Sequence, residues 1–207
     1  MLELMSTIET SHVVGRGRPR EFDEGAALDA LTLLFWDKGY EATSMADIVR
    51  ATGVNRSSLY NAFGSKHDLF RTVLSRYVEQ RMTALAEYAE ADPDGGIRSL
   101  HQFLDEMREF GRVGCLAVNT SAELGSADPA VQRLAQDYRD RTRASLHKLI
   151  DTVTRKSSLE VALVDARTDL LLGFLLGFAV AVRGGANDEE ADRLISAAHA
   201  IVESWAS

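Results

Sequence analysis

The sequence predicts an all-α protein of about nine helices. Three observations carry this. Apolar residues recur at three- and four-residue spacings through most of the chain, and no strand-like alternation persists. Ser, Thr, Asp and Asn stand directly before those periodic runs as N-caps, while Gly and Pro interrupt them. Composition agrees: 45% hydrophobic and 26% charged residues over 207 positions are ordinary globular material.

Residues 1–22 show no periodicity and are expected to be a disordered basic arm. Arg16, Arg18 and Arg20 lie in GRGRPR, where Gly and Pro exclude a helix. Asp23 caps a first helix with Leu28, Leu31 and Phe35 on one face, closed by Gly39. Thr43 or Ser44 caps a short second helix burying Met45 and Ile48. Gly53-Val54 is the turn, and Asn55 caps a third helix ending near Gly64. Ser65-x-x-Asp68 reads as a capping box opening a long fourth helix to about Ala91, broken by Pro93, Gly95 and Gly96.

Beyond the break, residues 97–110 place Ile97, Leu100, Phe103, Leu104 and Met107 on one side. Gly111 and Gly114 flank an interruption before CLAVNTSAEL. Asp128-Pro129 opens a helix to about Arg155, with proline at the first helical position. Residues 160–183 form another helix. Asn187 with Glu190 opens the last, whose stripe runs Ala191, Leu194, Ile195, Ala198, Ile201, Val202, Trp205.

The bulk numbers exclude some classes. The longest apolar run, 170–182, has 13 residues and is too short to span a bilayer, so no membrane partner is expected. The chain has one cysteine and its first residues hold no signal-like apolar run, which suits a reducing, cytoplasmic setting. The formal charge is -8, but positive charge is concentrated locally. Between Thr43 and Lys66, Asp47 is the one acid against Arg50, Arg56 and Lys66.

Residues 43–63 have the shape of a helix-turn-helix. On a helical wheel, Leu59, Ala62 and Phe63 face inward, while Ser57, Tyr60 and Asn61 point away and Arg56 lies at the N-terminal edge. The start of the second helix in such a unit meets base edges, and small polar residues there admit it to the major groove. Asn55, Arg56, Ser57, Ser58, Tyr60 and Asn61 are therefore the candidate DNA contacts. Thr43/Ser44 and Ser65-Lys66 begin helices whose free N–H groups suit phosphates, with Lys66 adding a full charge. The arginine arm suits a narrow minor groove. Double-stranded DNA is the expected partner, with the acidic remainder discouraging non-specific association.

Residues 23–70 resemble the DNA-binding domain of the TetR family of transcriptional regulators. FWDKGYEATSM leading into ADIVRATGV, then NRSSLYNAFGSKHDLF, carries the resemblance, with Leu59-Tyr60-x-x-Phe63 followed by Lys66 and Leu69 its most specific part. Ala62 departs from it, standing where histidine is frequent. The resemblance implies a helix-turn-helix DNA-binding domain over 23–66 and a ligand-binding and dimerisation domain over 67–207. It implies a homodimer on a palindromic operator, released by a small-molecule effector.

The dimer contact is then expected on the last two long helices, at Gly173, Gly177, Leu194, Ile195, Ala198, Ile201, Val202 and Trp205. Candidate effector-lining residues are Phe103, Met107, Phe110, Cys115, Asn119, Glu123, Tyr138 and Phe174. Asn119 and Glu123 share a helix face, where a carboxylate would receive a cationic or hydrogen-bonding ligand. Cys115 lacks a second cysteine to resolve an oxidised product and reads as packing. No cofactor and no metal are expected: His12, His67, His101, His147 and His199 show no i, i+3 or i+4 ligand pair. No catalytic signature is present, so the chain is not expected to be an enzyme and no catalytic residue is assigned. The alternative reading is a helical dimeric adaptor or ligand-binding protein that has lost DNA binding.

Overall fold

Local capping chemistry, more than apolar content, sets where the first helices begin. A computed structural model describes residues 22–91, 96–109, 114–125, 127–154 and 161–206. Helix α1 (Glu24–Lys38) starts where the Asp23 carboxylate accepts from the Ala26 N–H and ends at Gly39, φ 80°. Helix α2 (Met45–Thr52) opens on a reciprocal Ser44–Asp47 capping box and closes at Gly53 in the left-handed region, φ 67°. Helix α3 (Arg56–Phe63) is capped by Asn55, which accepts from the Ser58 N–H. Helix α4 (Lys66–Ala91) follows Gly64 and opens on a second box, Ser65–Asp68.

The remaining helices are α5 (Ile97–Glu109), α6 (Leu116–Leu124), α7 (Pro129–Thr154), α8 (Val161–Arg183) and α9 (Asp188–Glu203), the last running into a 3-10 turn, Ser204–Ala206. Among the described residues every regular element is helical. At α9 the Asn187 side chain accepts from the Glu190 N–H as the sequence suggests.

Helix α4 is the spine. It packs against α1 and α3 at one end and against α5, α6 and α7 along the rest, while α7 pairs with α8 and α5 with α9. One apolar core runs without a gap from Leu31 and Phe35 through Leu69, Phe70 and Val73 to Leu146, Ile150 and Val202. Leu59, 1% exposed, is the anchor of α3. Truncating such a leucine to alanine costs about 2–5 kcal/mol, enough to detach so short a helix. Phe63 is half-buried and meets Phe22 with ring centres 6.2 Å apart. Ala62 is exposed, contrary to the wheel reading, because α3 rests on its neighbours along a narrow line through Leu59 and Phe63.

Candidate DNA-contacting face and effector cavity

The outward face of α3 is short and polar. Arg56, Ser57, Tyr60 and Asn61 are exposed. Arg56 and Tyr60, one turn apart, support each other: the guanidinium donates to the tyrosine hydroxyl at 3.1 Å and lies 5.3 Å from the ring centre. Ser57 donates its hydroxyl to the Asn55 side chain at 2.8 Å, and Asn55 holds the Ser58 N–H, so these two belong to the helix start.

Three expected phosphate groups are turned to internal work. Thr43 is 1% exposed and its hydroxyl donates to the Gly39 carbonyl at 2.6 Å, closing the turn after α1, so it offers no hydroxyl outward. Ser44 shares its hydroxyl with Asp47. Lys66 donates to the Tyr40 carbonyl at 2.7 Å and sits over the Tyr40 ring at 4.2 Å. It ties the start of α4 to the α1–α2 turn. Both helix starts already carry a carboxylate. The Ser44 hydroxyl and N–H, with Lys38, hold Asp47 well below the usual carboxylate range, and the Ser65 hydroxyl and N–H lower Asp68. Arg16, Arg18 and Arg20 lie outside the described residues, as does Phe110.

A cavity of about 630 Å³ of atom-free space, counting its mouth, opens among α4, α5, α7, α8 and the start of α6. Of the candidate effector-lining residues, Phe103, Met107, Cys115 and Tyr138 line this cavity. Asn119, Glu123 and Phe174 do not. Glu123 is an exposed residue whose carboxylate accepts from the Tyr40 N–H at 3.2 Å and the Glu41 N–H at 2.8 Å. Phe174 is half-buried against Phe178, which does line the cavity, with ring centres 5.9 Å apart. Sequence reasoning missed Tyr77, Arg81 and Leu85 of α4, although their four-residue spacing marks one helix face.

The cavity is mostly apolar, with one polar seam. The Tyr77 hydroxyl donates to Cys115 Sγ at 3.5 Å, and the thiol donates to the Tyr138 hydroxyl at 3.4 Å. Burial raises both phenols well above their ordinary range, with Cys115 adding to the shift, so both stay neutral.

Several contacts fasten the DNA-contacting unit to this region. Trp36 of α1 meets Tyr77 edge-on with ring centres 5.3 Å apart, and its N–H donates to the Gly114 carbonyl at 2.8 Å. Arg183, at the end of α8, donates to the Trp36 and Asp37 carbonyls, each at 3.0 Å, where the free carbonyls of α1 gather. Glu123 supplies another at the Tyr40 and Glu41 N–H groups. His67 also pairs with Asp128, and that hydrogen bond is the main reason the Asp128 carboxyl is held low.

The expected dimer stripe is largely internal. Ile195, Ala198, Val202 and Trp205 are 0–7% exposed, and Leu194 is half-buried, because α9 lays this face on α5 and α8. Trp205 carries the Arg167 guanidinium 5.2 Å above its ring. What faces outward is a strip of α8: Leu163, Ala166, Leu170, Gly173, Gly177 and Val180 are all exposed, and so is Ile201 of α9. A Cβ added at Gly173 or Gly177 meets no neighbouring atom of the chain within 4 Å.

Comparison with known proteins agrees with this geometry. Residues 27–73 match the family described as bacterial regulatory proteins, tetR family. The chain is 55% identical over 65 residues to the HTH-type transcriptional repressor ComR of Escherichia coli (strain K12), a match covering 31% of each chain. It is 29% identical over 175 residues to the HTH-type transcriptional repressor BdcR of the same strain, covering 84% of this chain and 86% of that one. Among solved structures it resembles a cysteine mutant of the regulator CifR complexed with 26-base-pair operator DNA, with TM-score 0.72 and 25% identity over 92% of this chain and 98% of that one. Among the described residues no helix is long and apolar enough to cross a membrane.

Proposed function

The chain belongs to the TetR family of transcriptional regulators, a family of DNA-binding proteins and not of enzymes, and on that premise we propose that it is an effector-released repressor. Two copies bind a palindromic operator through α3. Arg56, Tyr60 and Asn61 meet the duplex from its exposed face, with Ser57, Ser58 and Asn55 at the edges and the arginine arm in the flanking minor groove. The exposed strip of α8 with Ile201 is the dimer face: glycines let the helices approach, and the surrounding apolar side chains gain burial.

The observation that carries the effector reading is Trp36. One side chain of α1 touches both a cavity residue, Tyr77, and the backbone carbonyl of another, Gly114. A ligand displacing Tyr77 or Gly114 moves α1 with the α2 packed on it, and shifts both against the start of α4, on which α3 rests. The ligand releases DNA only by binding the shifted arrangement more tightly. A small, mostly apolar molecule with a hydrogen-bonding group matches the lining.

The test is fluorescence anisotropy of the full chain with palindromes from its own upstream region, at low and raised salt. Sequence-specific binding with a stoichiometry of two chains per site is expected. Absence of any sequence-specific complex at low salt overturns the reading in favour of an adaptor.

A further inference from the structure

His101 and His199 are 98 positions apart and meet Nδ1 to Nδ1 at 2.5 Å. Their planes differ by 16° and their ring centres stay 4.8 Å apart. Nitrogens this close with centres this far apart meet edge to edge, not face to face. Each outer nitrogen meets a carboxylate of the opposite helix at 2.9 Å: His101 Nε2 with Glu203 of α9, and His199 Nε2 with Asp105 of α5. On each helix the histidine and its neighbouring acid are four residues apart and share a face. The result is one chain, Glu203–His101–His199–Asp105, spanning the α5–α9 seam.

Three contacts require three hydrogens. Carboxylates only accept, so each Nε2 carries one. Between the two Nδ1 atoms one must donate and the other accept. Two neutral imidazoles hold two hydrogens and leave lone pair facing lone pair. Two imidazoliums hold four and leave N–H facing N–H. The singly charged pair alone satisfies every contact. Among the described residues no three His, Cys, Asp or Glu groups converge as metal ligands. We propose that α5 and α9 are clasped by one proton shared between His101 and His199, and that adding a proton, or removing the shared one, loosens the seam.

Other charged groups stand on the elements around the seam. Arg98, Glu106 and Arg108 lie on α5, Asp188 and Asp192 on α9, Lys148 and Asp151 on α7, and Arg167 on α8. Arg108 is held by Asp188 and Asp192, and Arg167 lies over Trp205. The four ring nitrogens are taken up by one another and by Glu203 and Asp105. Each imidazole is 26% exposed, so protons exchange with solvent. Histidine is the side chain suited to change charge between about pH 5 and 8. The consequence reaches the cavity, because α5 places Phe103 and Met107 in its wall within two turns of His101.

The test uses the full chain labelled with 15N at histidine. Long-range 1H–15N spectra report the charge of each ring, and a scalar coupling between the two Nδ1 atoms reports the shared proton. The coupling is expected within the pH window in which the pair shares one proton, and is lost on the acid and the alkaline side of it. Glu203→Gln and Asp105→Asn change carboxylates that are 70% exposed, so folding is not at stake. The Tm advantage of the parent over either variant is expected to peak at about 2–4 °C inside that window and to shrink on both sides. Two independently titrating rings with no coupling overturn the proposal, as do melting curves that run parallel at every pH. A Zn2+-dependent rise in Tm that His199→Asn abolishes overturns it in favour of a metal site.

Discussion

The indole N–H of Trp36 and the carbonyl of Gly114 are joined over 2.8 Å, and this bond crosses from α1 to the segment that forms the cavity wall. Replacing Trp36 by Phe keeps a ring against Tyr77 but removes the donor. A net hydrogen bond contributes about 1 kcal/mol, so a Tm lower by about 2–4 °C and an operator affinity weaker by about fivefold are expected. Thermal melting and anisotropy measure the two effects. Unchanged values in both would remove Trp36 from the coupling.

Glu123 is expected to act at a distance from the cavity. Its carboxylate accepts two backbone N–H groups at Tyr40 and Glu41. Glu123→Gln retains one strong acceptor and loses the charge. For an exposed site a loss of about 1 kcal/mol, or about 2–4 °C in Tm, is expected. A variant that melts with the parent would show that the cap contributes nothing.

Arg56 and Lys66 separate by salt. Arg56 is exposed on the face proposed to meet DNA, so Arg56→Ala is expected to reduce the slope of log K against log salt by about 0.9, one phosphate contact. Lys66 is committed to Tyr40, so Lys66→Met is expected to lower Tm while leaving the slope nearly unchanged. Equal slope losses for the two would return Lys66 to the phosphate-binding set.

The α8 strip makes a prediction about assembly. A Cβ at Gly177 points into open space, with no atom of the chain within 4 Å. Gly177→Glu is therefore expected to leave the helical signal intact while sedimentation shifts from dimer to monomer. A dimer of unchanged strength would place the interface elsewhere.

Tyr77 and Tyr138 set an alkaline limit. Burial raises both phenols above an unfolded value of about 10. A raised folded value means that the stabilising contribution is complete below about pH 10 and is lost as pH rises through the folded value. Steep loss of Tm above about pH 10 is expected, and a shallower one in Tyr138→Phe. Identical alkaline slopes would sink the assignment.

Much of the DNA-contacting unit is legible in the sequence. Gly39, Ser44, Gly53, Asn55 and Ser65 mark helix ends because capping is a contact among residues within four positions, so spacing reveals it. The same holds for Leu59 inside α3 and for the exposed Tyr60 and Asn61. The cavity is half legible: Phe103 and Met107 follow from periodicity, while Tyr77 and Arg81 look like any surface of a long helix until α7 and α8 leave a space beside them.

An all-helical chain, the order and ends of its elements, and the polar face of α3 can all be read along the chain. They follow from 3.6-residue periodicity and local hydrogen bonding. The partners of side chains far apart in the chain follow instead from packing. Packing takes Lys66 and Glu123 from expected ligands to the α1–α2 turn. It turns Ile195, Ala198 and Val202 inward, because an apolar stripe states that a face is buried and not which surface buries it. And it brings His101 beside His199, a contact across 98 positions that no local spacing announces.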